Sequence, residues 1–261
     1  MSSNTAKMDD SFISDASSTV VASVASTVVR ASIESHSCPT SWSEDRSFDE
    51  TIYYDQGLTV RDIERRRPNE QFAYVACAEI QEYDGVKYIG RHLDCIIIGV
   101  DGIYALGESD HRIAIGVFIG PGSIYNLALP MAGDTTTYGG FRNKSKHVEL
   151  LAGYHGLQRA ILVARHGLSD VTQIVIKSPS QYLFYVMTYL SFRWERNGYI
   201  NTMGETVNSS TLVQRMLATV RELNDMGIEV NFWRIDGIAL KDAHGLAHSA
   251  METIDCELGM D

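Results

Sequence analysis

The stretch Cys95 to Gly102, reading C-I-I-I-G-V-D-G, constrains the fold of this chain more than any other. Three consecutive isoleucines and Val100 are too apolar for an exposed edge, so they predict a buried central strand. The run stops at an acidic residue followed by glycine, which puts Asp101 at or near the strand's exit. Taken alone, Asp101-Gly102 reads equally as the turn that closes a strand. Only the residues beyond it decide between the two.

Downstream, His111 to Ile119 and Ser123 to Leu129 flank the turn Gly120-Pro121-Gly122 and predict two further antiparallel strands joined by hairpins. A polar, glycine-rich insertion spans Met131 to Ser145. From Lys146 to Arg165 the residues Val148, Leu151, Tyr154, Leu157 and Ile161 recur on one helical face. Val171 to Lys177 is a β-branched strand. Ser180 to Arg196 predicts a second helix, stopped by Asn197-Gly198. A helix from Ser210 to Met226, a strand from Glu229 to Arg234 and a last helix from Leu240 to Glu252 complete the order. This order predicts an α/β fold: a mixed five-stranded sheet, three antiparallel strands and then parallel additions, flanked by helices.

Upstream, residues 1–48 are rich in Ser, Thr and Asp and predict a disordered acidic arm. Residues 49–94 carry strand signals at Phe72 to Cys77 and Val86 to Ile89, and a solvated basic cluster, Arg65 to Arg67. They are expected to pack as an extension on a main domain at residues 95–254, followed by a tail, 255–261. The formal charge is −11. Residues 1–50 contribute −5 and the rest −6, so acidity extends through the whole chain and argues against gripping polyanions by charge alone. The four cysteines are scattered without a C-x-x-C pair, which predicts inert thiols in an intracellular protein of cytoplasm or nucleus. Cys77, His92 and Cys95 lack a fourth partner for a zinc site. No apolar run approaches membrane-spanning length, so no membrane association is expected.

Five short strings fall in a telling order: V-D-G at 100–102, G-V-F-I-G-P-G-S-I-Y-N at 116–126, V-E-L at 148–150, S-P-S-Q-Y-L at 178–183 and A-H-G-L-A at 243–247. Together with the element order they resemble type 1 ribonuclease H, most closely its fungal-type branch, over roughly Cys95 to Glu252. The resemblance implies a ribonuclease H-like fold and hydrolysis of the RNA strand of an RNA-DNA hybrid by four carboxylates holding two Mg2+ or Mn2+ ions. Two such ions about 4 Å apart repel by roughly 16 kcal/mol at an effective dielectric of 20, which is why the chemistry needs that many acids. Asp101 and Glu149 fall on the first two positions and are the metal ligands the resemblance implies. Pro179 stands at the third position and His244 at the fourth.

Pro179 offers no side-chain ligand. Its neighbours suggest a helix start instead, with Ser178 as N-cap, Pro179 at the first helical position and Gln181 closing a capping box. His244 can serve as a metal ligand, or as a partly exposed residue of the last helix oriented by Asp242 or the helix start. Of the groups that touch substrate in the family, Ser180 and Gln181 remain, with Lys144 and Lys146 as phosphate contacts. Three readings are open: a catalytically degenerate module that binds nucleic acid or scaffolds a protein partner through its arm; an active or weakly active RNA-DNA hybrid ribonuclease in which Asp101, Glu149 and His244 hold one metal, or in which a neighbouring acid, Asp110 or Asp236, supplies the missing ligand; or another member of the wider ribonuclease H-like superfamily or an unrelated α/β protein that shares these strings.

Overall fold

The computed structural model describes residues 45–106, 111–133, 144–168 and 170–257. The arm up to residue 44, the candidate acid Asp110, most of the glycine-rich insertion and the last four residues lie outside the described residues.

The chain opens with two short helices, α1 (Thr51–Tyr54) and α2 (Val60–Ile63), and a two-residue strand β1 (Glu64–Arg65). Next come β2 (Ala73–Tyr83), β3 (Val86–Leu106), β4 (His111–Phe118) and β5 (Leu127–Gly133). The long helix α3 (Lys144–His166) leads to β6 (Gln173–Ser178). Then α4 (Gln181–Tyr185) runs through a π-helical turn (Val186–Leu190) into α5 (Ser191–Arg196). Helix α6 (Ser210–Asp225), β7 (Glu229–Arg234), a 3-10 turn (Gly237–Leu240) and α7 (Lys241–Glu257) finish the described chain.

The five expected strands lie side by side as β5-β4-β3-β6-β7, the first three antiparallel and the last two added in parallel. This is the ribonuclease H-like arrangement. β1 and β2 extend it to seven strands. Ile97 pairs with Ala73 on one side and Val175 on the other, while Gly99 pairs with Phe118 and Lys177. β2 and β4 therefore lie end to end along one edge of β3, and the Ala73 amide donates to the Ile119 carbonyl across the joint at 2.7 Å. The separate strands expected at Val86 to Ile89 and at Cys95 to Gly102 are one strand. Asp101 sits inside it, paired with Gly116, and not at its exit.

The strand expected at Ser123 to Leu129 begins only at Leu127. Asn126 explains the shift: its side-chain oxygen accepts from the Ile119 amide at 2.7 Å and its amide nitrogen donates to the Gly120 carbonyl at 2.8 Å. Those bonds hold residues 119–126 in a closed turn, since an Asn side chain can stand in for a backbone partner. The last helix likewise starts one residue later and runs five residues further than expected, behind the 3-10 turn.

Strand alternation divides the core. Ile96, Ile98, Val100, Ile113, Ile115, Val117, Ile174 and Ile176 face α3, α4 and α6 in one large aliphatic cluster. Ile97, Val175 and Trp233 face the other way, covered by Tyr53, Leu58 and Ile63 of the N-terminal segment and by Leu240 and Ala243. Leu212 is buried, and Trp194 packs against the large cluster. Among the described residues, no helix is long and apolar enough to cross a membrane.

Candidate functional site

Two glycines bring the site together. Gly116, opposite Asp101 in the β3–β4 register, lies under α7, where a Cβ would come within 1.9 Å of the Ala243 carbonyl oxygen. The helix backbone thus rests on the strand, and the next residue, His244, reaches Asp101. On the other face a Cβ at Gly102 would meet the Val148 carbonyl oxygen at 2.9 Å, so the first turn of α3 lies against β3 one residue past Asp101. Its next residue is Glu149.

Asp101 is nearly enclosed, its side chain 15% exposed against 52% for His244. Its Oδ1 accepts from the Gly102 amide at 2.9 Å and its Oδ2 from His244 Nδ1 at 2.6 Å. A carboxylate oxygen only accepts, so this contact places a proton on Nδ1 and leaves Nε2 of the neutral ring with its lone pair free. That nitrogen faces His248 Nε2 at 2.9 Å, the two rings edge to face with centroids 4.4 Å apart. Asp101, His244 and His248 form a hydrogen-bonded row from the sheet to the surface.

Glu149 is held by serines. Its Oε1 accepts from Ser145 Oγ at 3.2 Å and its Oε2 from Ser180 Oγ. Ser180 Oγ also accepts from the Leu183 amide at 2.9 Å, which makes Ser180 the N-cap of α4. The expected capping arrangement is therefore displaced by two residues. Ser178 still belongs to β6, paired with Arg234, and its Oγ accepts from the Ser180 amide at 3.2 Å. Pro179 precedes the cap, because the residue before a proline favours the extended conformation that Ser178 already has. A Cβ on Gly237 would lie 4.0 Å from Pro179 Cβ, so the third position faces the loop after β7.

Gln181 is exposed at the first position of α4, and Lys144 is half-buried at the first position of α3. Lys146 Nζ lies 5.0 Å from the centre of the Tyr182 ring. Burial first, and then the charge of Glu149, pushes the Tyr182 phenol above its ordinary value. Asp242, expected as a guide for His244, instead accepts from Arg66 at 2.6 Å; Asp101 orients the imidazole. Asp236 is exposed just before the 3-10 turn and accepts from the Ala239 amide through its carbonyl at 3.0 Å.

As placed, these residues do not fit a two-ion magnesium centre. Both oxygens of Asp101 and of Glu149 are held by protein donors, Pro179 supplies no ligand, and His244 supplies nitrogen where magnesium takes oxygen. Among the described residues, no group of three or more His, Cys, Asp and Glu side chains is arranged to hold a metal ion. Cys77 and Cys95 are free thiols.

Reading the sequence also missed several residues. His248 stands four positions after His244, a spacing that places both on one helical face and was there to be used. Ser145 stands four before Glu149 in the same way. Tyr185 and Tyr189, 49% and 46% exposed with ring centroids 5.1 Å apart, carry no signal in the sequence beyond helical spacing.

No family model and no curated protein matches this chain. Solved structures do. A foamy viral protease-reverse transcriptase in complex with dsDNA is 15% identical, the match covering 60% of this chain and 94% of that one with a TM-score of 0.45. LC11-RNase H1, isolated from compost by a metagenomic approach, is 14% identical over 62% of this chain and 99% of its own, with a TM-score of 0.42. RNase H1 from the halophilic archaeon Halobacterium salinarum NRC-1 is 16% identical over 61% and 98%, with a TM-score of 0.37. The strand order and register of this chain are themselves those of the ribonuclease H-like fold.

Proposed function

We propose that this chain is a ribonuclease H-like module that binds nucleic acid and has lost the hybrid-cleaving chemistry of the family it resembles. The observation that carries the reading is the engagement of the two remaining acids, Asp101 by His244 and Glu149 by Ser145 and Ser180, beside a proline at the third position. Carboxylates already satisfied by protein donors must give up those bonds before they can hold a cation, and two of them offset less of the repulsion between paired ions than four do.

Three tyrosines supply the binding surface: Tyr182, half-buried on α4, Tyr185, exposed at its end, and Tyr189, exposed on the π-helical turn, succeed one another at helical spacing, with Lys146 over the first ring and Arg193 5.8 Å from the centre of the last. Rings stacked with cations suit unpaired bases, which stack on aromatic faces regardless of sequence. The overall negative charge makes such binding depend on stacking more than on counterion release.

The test uses an end-labelled RNA-DNA hybrid and a labelled single strand, each offered to the parent and to Asp101→Asn, in Mg2+ and then in Mn2+. The expected result is no cleavage that the substitution removes, together with single-strand binding that weakens about thirtyfold in Tyr185→Ala/Tyr189→Ala, the lower end of 1–3 kcal/mol for each of two stacked bases. Cleavage by the parent and not by Asp101→Asn would overturn the reading and establish an active hybrid ribonuclease with a reduced ligand set.

A further inference from the structure

We infer that His244 and His248 form a two-imidazole site for a borderline divalent transition ion, of the Zn2+ or Ni2+ class, with Asp101 as the outer partner that orients it. The inference concerns a different donor set from the oxygen-rich centre that the fold's resemblance implies, and it does not depend on nucleic-acid binding.

The two residues are four apart on α7 and both are exposed, so their rings project from one face of a regular helix. Their Nε2 atoms are 2.9 Å apart. Two nitrogens bound to one ion at about 2.1 Å are separated by roughly 3.0 Å when they sit at right angles and roughly 3.4 Å when tetrahedral. The pair therefore already holds nearly the nitrogen separation of a chelate, and turning the rings from each other toward a shared point completes it.

Two Nε2 atoms this close need something positive between them. Without an ion that is a proton: His248 donates its Nε2–H to the lone pair of His244. An ion replaces it. Two Nε2–metal bonds form, and the displaced proton moves by way of solvent to His248 Nδ1, giving the other neutral tautomer.

Asp101 supplies what such a site needs behind the ligand. A metal-bound histidine usually donates its second ring N–H to a carboxylate or carbonyl, which fixes the tautomer and raises the basicity of the ligand. His244 Nδ1 already makes that contact to Asp101 Oδ2 at 2.6 Å, and the carboxylate is fixed in turn by the Gly102 amide. Since no third side chain among the described residues joins the pair, water fills the remaining positions and the ion exchanges readily. Imidazole also selects the class of ion, because magnesium prefers oxygen and keeps its waters whereas nickel and zinc accept nitrogen.

The experiment titrates Ni2+, and separately Mg2+, into the full chain and into His244→Ala, His248→Ala, the double variant and Asp101→Asn, by calorimetry and by the ring resonances of the histidines. The thiols are the same in every protein, so differences report the imidazoles. The expected result is a Ni2+ affinity at least tenfold weaker in each single histidine variant, 10–100-fold weaker in Asp101→Asn, and selective Ni2+ broadening of the His244 and His248 signals. Mg2+ should do none of this. Unchanged Ni2+ affinity in the double variant, or broadening centred on other histidines, would overturn the inference. Because both rings are exposed, the variants keep their fold, and His248→Ala leaves the Asp101–His244 contact in place as a further check.

Discussion

The two faces of the sheet meet at Asp101 and are built differently. Under α3, α4 and α6 the sheet buries one continuous layer of isoleucine, valine and leucine. Under α7 the apolar layer is split into two smaller clusters, and polar groups enter the core. Lys177, the next-to-last residue of β6, is paired with Glu64, their side chains 7% and 11% exposed. Glu64 also lies 3.8 Å from Arg66, which bonds Asp242. The Asp101–His244–His248 row runs beside this cluster. One face supplies hydrophobic stability, proportional to the area it removes from water. The other holds charges whose value depends on every partner being present.

The largest test of that difference is Lys177→Met. Removing one member of a buried ion pair strands the other, and the expected loss is about 3–5 kcal/mol, read as a fall in the denaturation midpoint. Lys177→Met with Glu64→Leu should recover most of it, because no charge is then left buried. Equal losses in the single and double variants would mean that the lysine's packing, and not the pairing, holds this face.

The glycines give a second, smaller test. A methyl at Gly116 collides with the backbone of α7, which can only lift away, and should cost about 3 kcal/mol. It should also part His244 from Asp101 and weaken Ni2+ binding. A methyl at Gly102 meets Val148 at longer distances, its Cγ1 at 2.8 Å and its carbonyl oxygen at 2.9 Å, and should cost about 1–2 kcal/mol. If Gly102→Ala proves the more damaging, α3 and not α7 is the rigid support of the site.

These contacts also separate what the sequence could tell from what it could not. The isoleucine run announced the central strand because only a doubly covered strand tolerates it. Its first half, Val86 to Asp94, was harder to join to it. That half pairs with β2 and none of its described side chains is fully buried, so its residues carry a mixed polarity. Asp101, Glu149 and His244 were legible as positions in a motif, yet their hydrogen bonds were not. The Glu149–Ser180 and Asp101–His244 contacts span 31 and 143 residues, and nothing local in the chain encodes them. The Lys177–Glu64 pair, 113 residues apart, is hidden for the same reason. The cap moved from Ser178 to Ser180 because sheet pairing holds Ser178 extended, and tertiary register overrides a good local signal.

The smallest predicted effect sets the histidines of the two faces against each other. On α7, His244 and His248 are exposed, and their protons compete with an ion. On α3, His147 is buried with Nδ1 2.8 Å from Ser209 Oγ, and burial holds it below its ordinary value of 6.5. His155 is lowered too, by burial first and then by Arg159 and Arg215. A group lowered on folding binds its proton more tightly in the unfolded chain. Stability is therefore fully present above pH 6.5 and falls as the pH drops through that value toward the folded one, by at most about 1.4 kcal/mol per pH unit for each histidine. Between pH 7.5 and 5.5, a window above the range where a carboxylate such as Glu70 titrates, the urea midpoint of the parent should fall. His147→Gln can keep a hydrogen bond to Ser209 without gaining a proton, so its midpoint should fall less over the same window. A midpoint that falls as far in His147→Gln as in the parent would show that the burial of His147 does not carry the dependence.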